Sequence, residues 1–557
     1  MYVLGLNGLG NRSHEASACL FKDNQLIAFA EEERFIRKKH AYDVSPHNAI
    51  KFCLGYEGID ETKIDYVVFG WDYIKLYHNA GLPDLTKEQV LNMTFPEKYF
   101  KKVNPELIFI EHHLAHASSA YRCSGFKDSA ILVVDGAGED TSTSIWIGKG
   151  NKISLLMKFK LNDSIGYFYE AASKFLGFRT DDCGKTMGLS SYGNPGYKFS
   201  NLSLKKDSEK IFDIKMGRNT SLDQQEDVIS KWLEAFSKLF KKNEQGYYFD
   251  KEYCSILNKL SFSEQYKNLA ASVQDETNKL MIELSKLALK SANSENLCIS
   301  GGVGLNCVAN GKILEENICK NLFIQPLCND AGVSLGAAME FISGKREDVN
   351  FEMKSVYLGP EFNNGDIKKI LESKKLKFRF LEDPAKEGAK LISEGKILGW
   401  FQGRMEAGPR ALGNRSILAD PTNPKIKDIV NNVKYRELWR PLCPSVLEEK
   451  KLDYINIDKE SPFMIIDFEV KKEAVKKIPS VVHVDGTARI QTVNKNINPL
   501  YWRLINEFGK ISGEYAVLNT SLNSKAKPIA ASPIDAIKNF YNSGMDAIII
   551  GNYLLTK

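Results

Sequence analysis

Tyr2-Val3-Leu4-Gly5-Leu6-Asn7 is a short apolar run that ends in a Gly/Asn-rich turn. Two more apolar runs follow, Ala16-Ser17-Ala18-Cys19-Leu20-Phe21 and Leu26-Ile27-Ala28-Phe29-Ala30, separated by the polar turn Lys22-Asp23-Asn24-Gln25. Short apolar runs bounded by turn residues read as strands, so this stretch is an antiparallel meander. The same order recurs at Ala130-Ile131-Leu132-Val133-Val134-Asp135-Gly136-Ala137-Gly138, Thr143-Ser144-Ile145-Trp146-Ile147 and Ile153-Ser154-Leu155-Leu156. Its second turn, Gly148-Lys149-Gly150-Asn151, is again a hairpin signal.

Two meanders, each opening with a strand that runs into a glycine-rich turn, predict an α/β chain with a duplicated fold of the actin/sugar-kinase ATPase type. In such a fold the two glycine turns face each other across a phosphate site. Two unrelated hairpins are the alternative. From about residue 160 to 300 the pattern turns helical, with apolar residues at three- and four-residue intervals from Leu269 to Ala292. Asn296-Leu297-Cys298-Ile299-Ser300 is then a strand, broken by Gly301-Gly302-Val303-Gly304 and followed by a helical pattern from Leu305. Strand, glycine turn and helix N-terminus make a general anion-binding device. Asn321 to Gln325 reads as another strand and Val333 to Ile342 as another helix. The charged break Lys345-Arg346-Glu347-Asp348, followed by Tyr357-Leu358-Gly359-Pro360, places a domain boundary. The division is 1–352 and 353–557, with no low-complexity tether between them. The Lys-rich stretch 200–265 carries no assignment.

Hydrophobic residues make up 43% of the 557 and charged residues 26%, which excludes wholesale disorder. The net charge of +5 announces neither a nucleic-acid nor a membrane surface by itself. No apolar run approaches the roughly 18 residues needed to cross a bilayer. The first residues lack a basic region before their apolar run and read as a strand, not a signal peptide. The 10 cysteines include no Cys-x-x-Cys pair, so they read as reduced thiols and not as a zinc ribbon. A soluble cytoplasmic protein is the expectation.

Three of the 8 histidines fall in Glu111-His112-His113-Leu114-Ala115-His116. His112 and His116 are four apart, which puts both imidazoles on one helix face, a good geometry for two metal ligands. Without a Glu directly after the first of them, a zinc-protease reading fails. Asp135, at a strand end, and Asp330, in Cys328-Asn329-Asp330-Ala331-Gly332, are the carboxylate candidates. The second clue is Gly403-Arg404-Met405-Glu406-Ala407-Gly408-Pro409-Arg410-Ala411-Leu412-Gly413-Asn414-Arg415-Ser416, followed by Lys434, Arg436 and Arg440. Arginines held on Gly/Pro turns suit phosphate and carboxylate oxygens, and a small phosphorylated ligand fits better than a nucleic-acid groove. The alternative is a basic surface paired with Glu406, Glu437 and Asp428. Asp485-Gly486-Thr487-Ala488-Arg489 and Asn519-Thr520-Ser521-Leu522-Asn523 are polar clusters beside apolar strands, further walls for one anion pocket.

Taken together these residues resemble the O-carbamoyltransferases of the nodulation and antibiotic-tailoring type. The resemblance covers essentially the whole chain. It rests on Leu6-Asn7 with Ser13-His14-Glu15-Ala16, the run Glu31-Glu32-Glu33-Arg34, and His112-His113-Leu114-Ala115-His116-Ala117. It continues through Lys185-Thr186-Met187-Gly188-Leu189 with Tyr192-Gly193, Gly301-Gly302-Val303 with Asn306, and the arginine segment. It implies an actin-like ATPase domain fused to a YrdC-like twisted α/β domain of α+β character. ATP (with Mg2+) and carbamoyl phosphate would give a carbamoyl adenylate, from which the carbamoyl group moves to an acceptor hydroxyl held in the first domain. By the same resemblance His112, His116, Asp135 and Asp330 are metal ligands, with iron the metal. Arg410, Lys434, Arg440, Arg489, Asn519 and Ser521 would bind carbamoyl phosphate, and Gly136, Gly301, Gly302, Val303 and Asn306 the nucleotide. His14 and Lys39 would be catalytic residues on the acceptor side, His14 taking the acceptor's proton near neutral pH. Two positions depart from the pattern: Leu522 stands where an aromatic is expected, and Ala526-Lys527 where Gly-Glu is expected before Pro528.

A hydrogenase-maturation carbamoyltransferase would also need an acylphosphatase segment and Cys-x-x-Cys modules. The rival readings are a tRNA threonylcarbamoyl-type enzyme and a non-catalytic actin-fold nucleotide-binding protein. The acceptor stays open among sugar-like, natural-product and hydroxymethyl hydroxyls, a hydroxymethylated DNA base included. No membrane partner is expected, and nothing in the sequence fixes the oligomeric state.

Overall fold

β1 (Tyr2–Asn7), β2 (Ser17–Lys22) and β3 (Gln25–Glu31) form an antiparallel meander. β4 (Tyr66–Phe69) and β5 (Glu106–Phe109) extend it in parallel from β1, giving the order β3-β2-β1-β4-β5. The second sheet repeats that plan. β6 (Asp128–Val134), β7 (Thr141–Lys149) and β8 (Lys152–Lys160) are its meander. β9 (Asn296–Ser300) and β10 (Asn321–Ile324) then run parallel from β6, and the order is β10-β9-β6-β7-β8. Read from the other edge the two orders are identical. The chain therefore has the duplicated topology of the actin/sugar-kinase type, and unrelated hairpins do not account for it. β1 and β6 are the middle strand of each sheet and are buried at nearly every position, as strands covered on both faces must be.

The structure is a computed structural model and describes residues 1–11, 13–79, 81–199, 211, 224–240, 263–345 and 349–557. Most of the Lys-rich stretch 200–265, and residues 346–348 of the charged break, lie outside the described residues. Two compact units are present: Met1–Glu32 with Tyr42–Met353, and Glu33–Ala41 with Lys354–Lys557. Among the described residues no helix is long and apolar enough to cross a membrane, and the described cysteines are free thiols.

In the first unit the helix His112–Cys123 packs against the helix Val333–Lys345. They approach so closely that a Cβ on Gly336 would stand 1.8 Å from the Ala115 carbonyl oxygen. Only glycine permits that approach. Because Ala115 sits between the two histidines and Gly336 follows Asp330 by six residues, this crossing brings Asp330 up to the imidazoles. The second unit is built on an eight-stranded mixed sheet. Its inner strands Leu398–Phe401, Arg415–Ala419, Ala516–Ser521 and Cys443–Leu447 are neighbours in that order, each pair antiparallel. The helices Pro384–Ser393 and Pro499–Ser512 seal it through a core of Ala385, Ala389, Ile392, Trp400, Leu504 and Phe508, all 0% exposed. Both helices start with Pro at the first turn behind a side-chain cap, Asp383 or Asn498.

Candidate functional site

In the first unit four side chains from three places in the chain converge. His112 and His116 lie one helical turn apart, Asp135 directly follows β6, and Asp330 opens the short turn Asp330–Gly332 before the helix Val333–Lys345. One ligand atom from each lies within 4.8 Å of the other three, and all four residues are buried. His112 Nε2 stands 3.4 Å from Asp135 Oδ2 and 3.7 Å from Asp330 Oδ1. His116 Nε2 stands 3.8 Å from Asp135 Oδ2 and 3.6 Å from Asp330 Oδ1. The far ring nitrogens are held from behind. His112 Nδ1 lies 3.3 Å from the Gly70 carbonyl and His116 Nδ1 3.2 Å from Ser300 Oγ. Glu111 caps the helix by accepting from the Leu114 amide, Glu139 accepts from the His112 amide, and Trp71 lies over the His112 ring at 3.9 Å.

Burial opposes charge on His112, but Asp330 and Asp135 outweigh it and raise the imidazole to about 9. Burial likewise opposes the Asp135 charge, while the histidines hold that carboxyl below its usual range. His113, the third histidine, faces away: its Nδ1 lies 2.7 Å from Ser144 Oγ, and burial together with the neighbouring histidines pushes it down to about 3. It is a neutral packing residue. The donor set fits a divalent cation: two oriented imidazoles and two carboxylates face one point, and the buried His116 Nε2 has no hydrogen-bond partner among the described residues.

The glycine turns lie against this cluster. Gly302 N donates to Asp135 Oδ1 at 2.8 Å. Gly301 takes a φ of 88° beside the Val134 carbonyl. Val303 lies within the short turn Gly302–Leu305. Asn306 caps the helix Cys307–Glu315 by accepting from the Ala309 amide and bonds Gln274 as well. Gly136 is braced by Ser164, whose Oγ donates to the Gly136 carbonyl at 2.7 Å and caps the next helix. His14 is half-exposed, its Nε2 3.7 Å from Asp330 Oδ2 and its ring 6.0 Å from that of Tyr42. Lys39 is exposed and belongs to the segment Glu33–Ala41 of the second unit.

The second unit gathers cations. Lys434 is 4% exposed, and its Nζ donates to the Ser521 carbonyl, to Asn523 Oδ1 at 2.8 Å and to the Asn523 carbonyl at 3.0 Å. Burial first, then Arg436 and Arg440, pull the Lys434 ammonium well below its usual range. Arg436 is lowered in the same way by burial, Arg440 and Arg489, and its Nε has no hydrogen-bond partner among the described residues. Arg489 Nη2 donates to Cys443 Sγ at 3.1 Å. Arg440 is 3.7 Å from Glu437. Asn519 pairs with Cys443 across the sheet and donates to Ser445 Oγ, Gln491 Oε1 and the Ala411 carbonyl, leaving its buried Oδ1 without a hydrogen-bond partner among the described residues. Ser521 pairs with Ser416. Arg410 follows Gly408-Pro409, one residue before the Ala411 that Asn519 touches.

Two arginines of the segment 403–416 are held by backbone carbonyls. Arg415 is 0% exposed, donates to the carbonyls of Gln402, Gly403, Asn414 and Pro360, and lies 3.7 Å over the Phe401 ring. Arg404 is spent on the Leu358 and Gly359 carbonyls. Glu406 accepts three backbone amides, from Leu412, Asn414 and Arg415, so it organises the loop and is no surface ion-pair partner. Arg436, named in the basic run but not among the carbamoyl phosphate residues, and Asn523, at the end of the polar cluster 519–523, both join the cation cluster. Arg436 stands in the same basic run as Lys434, which was the available signal.

The chain matches the family described as Carbamoyltransferase N-terminus over residues 5–339 and Carbamoyltransferase C-terminus over residues 389–557. The chain belongs to this carbamoyltransferase family, and it is a transferase. It is 34% identical to an uncharacterized protein of Synechocystis sp., across 100% of this chain and 97% of that one. It is also 34% identical to nodulation protein NolNO of Sinorhizobium fredii, across 98% of this chain and 79% of that one. Among solved structures it is similar to full-length HypF in the phosphate- and nucleotide-bound form, with a TM-score of 0.35 at 14% identity, over 62% of this chain and 56% of that one.

Proposed function

We propose that the chain is an ATP-dependent O-carbamoyltransferase. A YrdC-like second unit would hydrolyse carbamoyl phosphate to carbamate and inorganic phosphate, and a carbamate oxygen would then displace pyrophosphate from the α-phosphate of ATP to give carbamoyl adenylate. The carbamoyl group then passes to the hydroxyl of a sugar-like or hydroxymethyl acceptor, and AMP leaves. The observation that carries the reading is the set of Lys434, Arg436, Arg440 and Arg489, in which burial first and then the neighbouring cations depress Lys434 and Arg436. Buried like charges are costly unless an anion joins them. Carbamoyl phosphate is a small dianion, and several fixed cations replace its hydration. Asn519 Oδ1 and Ser521 Oγ supply polar atoms of the kind that the carbamoyl amide would meet.

In the first unit His112, His116, Asp135 and Asp330 would hold a divalent cation, iron by the family resemblance. When bound, such a cation gathers phosphate oxygens and offsets their charge. Gly136, Gly301, Gly302, Val303 and Asn306 would form the nucleotide's glycine turns, with Mg2+ accompanying ATP. The Gly70 carbonyl can only accept, so it favours a proton on His112 Nδ1 and leaves Nε2 to a ligand, while Ser300 Oγ holds His116 Nδ1 from behind. His14 reaches solvent beside Asp330 and is suited to accept the proton of an incoming hydroxyl. Lys39 would act on the acceptor side.

The test is pyrophosphate release from ATP with and without carbamoyl phosphate. Release that depends on carbamoyl phosphate is expected, and a screen of hydroxylated compounds and hydroxymethylated DNA then identifies the acceptor. No release with metal, carbamoyl phosphate and acceptor candidates all supplied overturns the adenylation reading.

A further inference from the structure

The run Glu31-Glu32-Glu33-Arg34 is divided between the units. Glu32 stays with the first, accepting from Asn48 Nδ2 at 2.5 Å and the Ala49 amide at 2.8 Å. Glu33 begins a nine-residue strap, Glu33–Ala41, that belongs to the second. The strap is folded tightly on itself: Glu33 Oε2 accepts the His40 amide at 2.7 Å, and its other oxygen pairs with Arg34 Nη1 at 2.7 Å. Arg37, His40 and Ala41 all take positive φ (59°, 64° and 43°), a conformation that L residues hold only when their surroundings enforce it.

What the strap grips lies next to the cation cluster. Arg34 is 4% exposed, and its Nη2 donates at 2.7 Å to the carbonyl of Gly408, two residues before Arg410. Arg37 uses its whole fork. Nη1 donates to the Ile529 carbonyl at 2.6 Å, Nη2 to the Pro528 carbonyl at 2.7 Å, and Nε faces Asp535 at 3.4 Å. Pro528 and Ile529 end the loop that begins at Leu522 and Asn523. That loop is closed by the Ala530 amide on the Leu522 carbonyl and by Asn523 Nδ2 on the Lys527 carbonyl. Asn523 in turn accepts from Lys434. Two guanidinium groups from one strap therefore hold the turn that leads into Arg410 and the loop whose Asn523 accepts from Lys434.

We propose that the strap Glu33–Ala41 is a working part of the anion pocket, with Arg34 and Arg37 as positioning residues that fix the Arg410 loop and the 522–530 loop. The proposal rests on the reading of that pocket as a carbamoyl phosphate site. Neither side chain need touch the ligand. An ammonium cannot reproduce a fork that spans two adjacent carbonyls and a carboxylate.

The test uses the full chain with Arg37→Ala and Arg37→Lys, and Arg34→Lys as an independent variant. Calorimetric titration with carbamoyl phosphate and, separately, with ATP is read beside amide exchange over residues 522–530. Arg37→Ala should weaken carbamoyl phosphate binding about tenfold, leave ATP binding within about twofold, and speed exchange in the loop. Arg37→Lys should fall between it and the parent. Equal carbamoyl phosphate affinity and unchanged exchange in both Arg37 variants overturn the proposal. A parent chain that binds no carbamoyl phosphate overturns the pocket reading instead, and exchange over 522–530 still decides whether the strap holds the loop. If Arg37→Ala does not fold, the two lysine variants carry the same comparison.

Discussion

Asp135 accepts the Gly302 amide on Oδ1 at 2.8 Å while its Oδ2 faces His112 Nε2 at 3.4 Å. One carboxylate thus ties the strand that ends at Val134 to the glycine turn after β9 and contributes charge to the histidine cluster. Asp135→Asn keeps an acceptor for the amide and removes the charge. It should fold normally and lose at least about tenfold in divalent-metal affinity, and His116→Ala should do the same. Metal content of the purified variants, followed by chelator competition, checks this. Parent-like content in His116→Ala would move the ligands elsewhere.

Gly301 gives the same junction a steric signature. Its φ is 88°, and a Cβ there would stand 2.3 Å from the Val134 carbonyl oxygen. Gly301→Ala must push β9 and the Asp135 strand end apart. A loss of about 2–4 kcal/mol in denaturant unfolding is expected, together with weakened metal binding. An unchanged midpoint would show that the turn relaxes at no cost.

Two arginines of the second unit should behave oppositely. Arg489 belongs to the repelling cation set, so Arg489→Ala should abolish carbamoyl-phosphate-dependent pyrophosphate release, with metal content retained and stability little changed. Arg415 serves four backbone carbonyls from a fully buried position. Arg415→Ala leaves those acceptors unsatisfied and should cost about 3 kcal/mol or more of stability. Thermal melts run beside the release assay separate the two. Retained release in Arg489→Ala would sink the pocket assignment.

Near Arg489, Asp467 is half-buried and accepts from Thr487 Oγ1 at 2.8 Å. Burial, and next to it Asp485, raise its carboxyl to about 6. The folded protein therefore binds this proton more tightly than the unfolded chain, so stability falls as pH rises from about 4 to about 6 and stays lowered above that. Asp467→Asn removes the penalty. It should raise stability by about 1–3 kcal/mol at pH 8 and by nearly nothing at pH 4. An equal shift at both pH values would rule out ionisation as the cause.

The duplicated sheets were legible because strand alternation, Gly-rich turns and helix spacing are local signals, and they occur twice in the same order. The His/Asp cluster was legible for a related reason: His112 and His116 share a helix face by spacing alone, and Asp135 sits at a strand end. Asp330 was a candidate from its turn, but what carries it to the imidazoles is the Gly336–Ala115 crossing, which no local pattern announces. In the arginine segment, residue type suggested ligands at 404 and 415, yet both are spent on backbone carbonyls. Turn chemistry reveals that an arginine is held, and only the fold reveals what holds it. The strap Glu33–Ala41 was unreadable for the same reason, since its partners Gly408, Pro528 and Ile529 lie hundreds of residues away.

Ala526 offers a last check, because the sequence pattern called for glycine there and the backbone agrees. Its φ is 60°, inside the loop that Asn523 and Arg37 hold from both sides. A left-handed alanine is strained by about 1–2 kcal/mol, and glycine gives back part of that gain through its larger unfolded entropy. Ala526→Gly should therefore stabilise the protein by about 0.5–1 kcal/mol, read as a small rise in melting temperature with carbamoyl phosphate affinity kept. The neighbouring departure, Leu522, is 0% exposed and packs in the interior, so it needs no compensating change. A fall in stability for Ala526→Gly would mean that the Cβ makes contacts worth more than the strain, and that this loop has settled on alanine for packing.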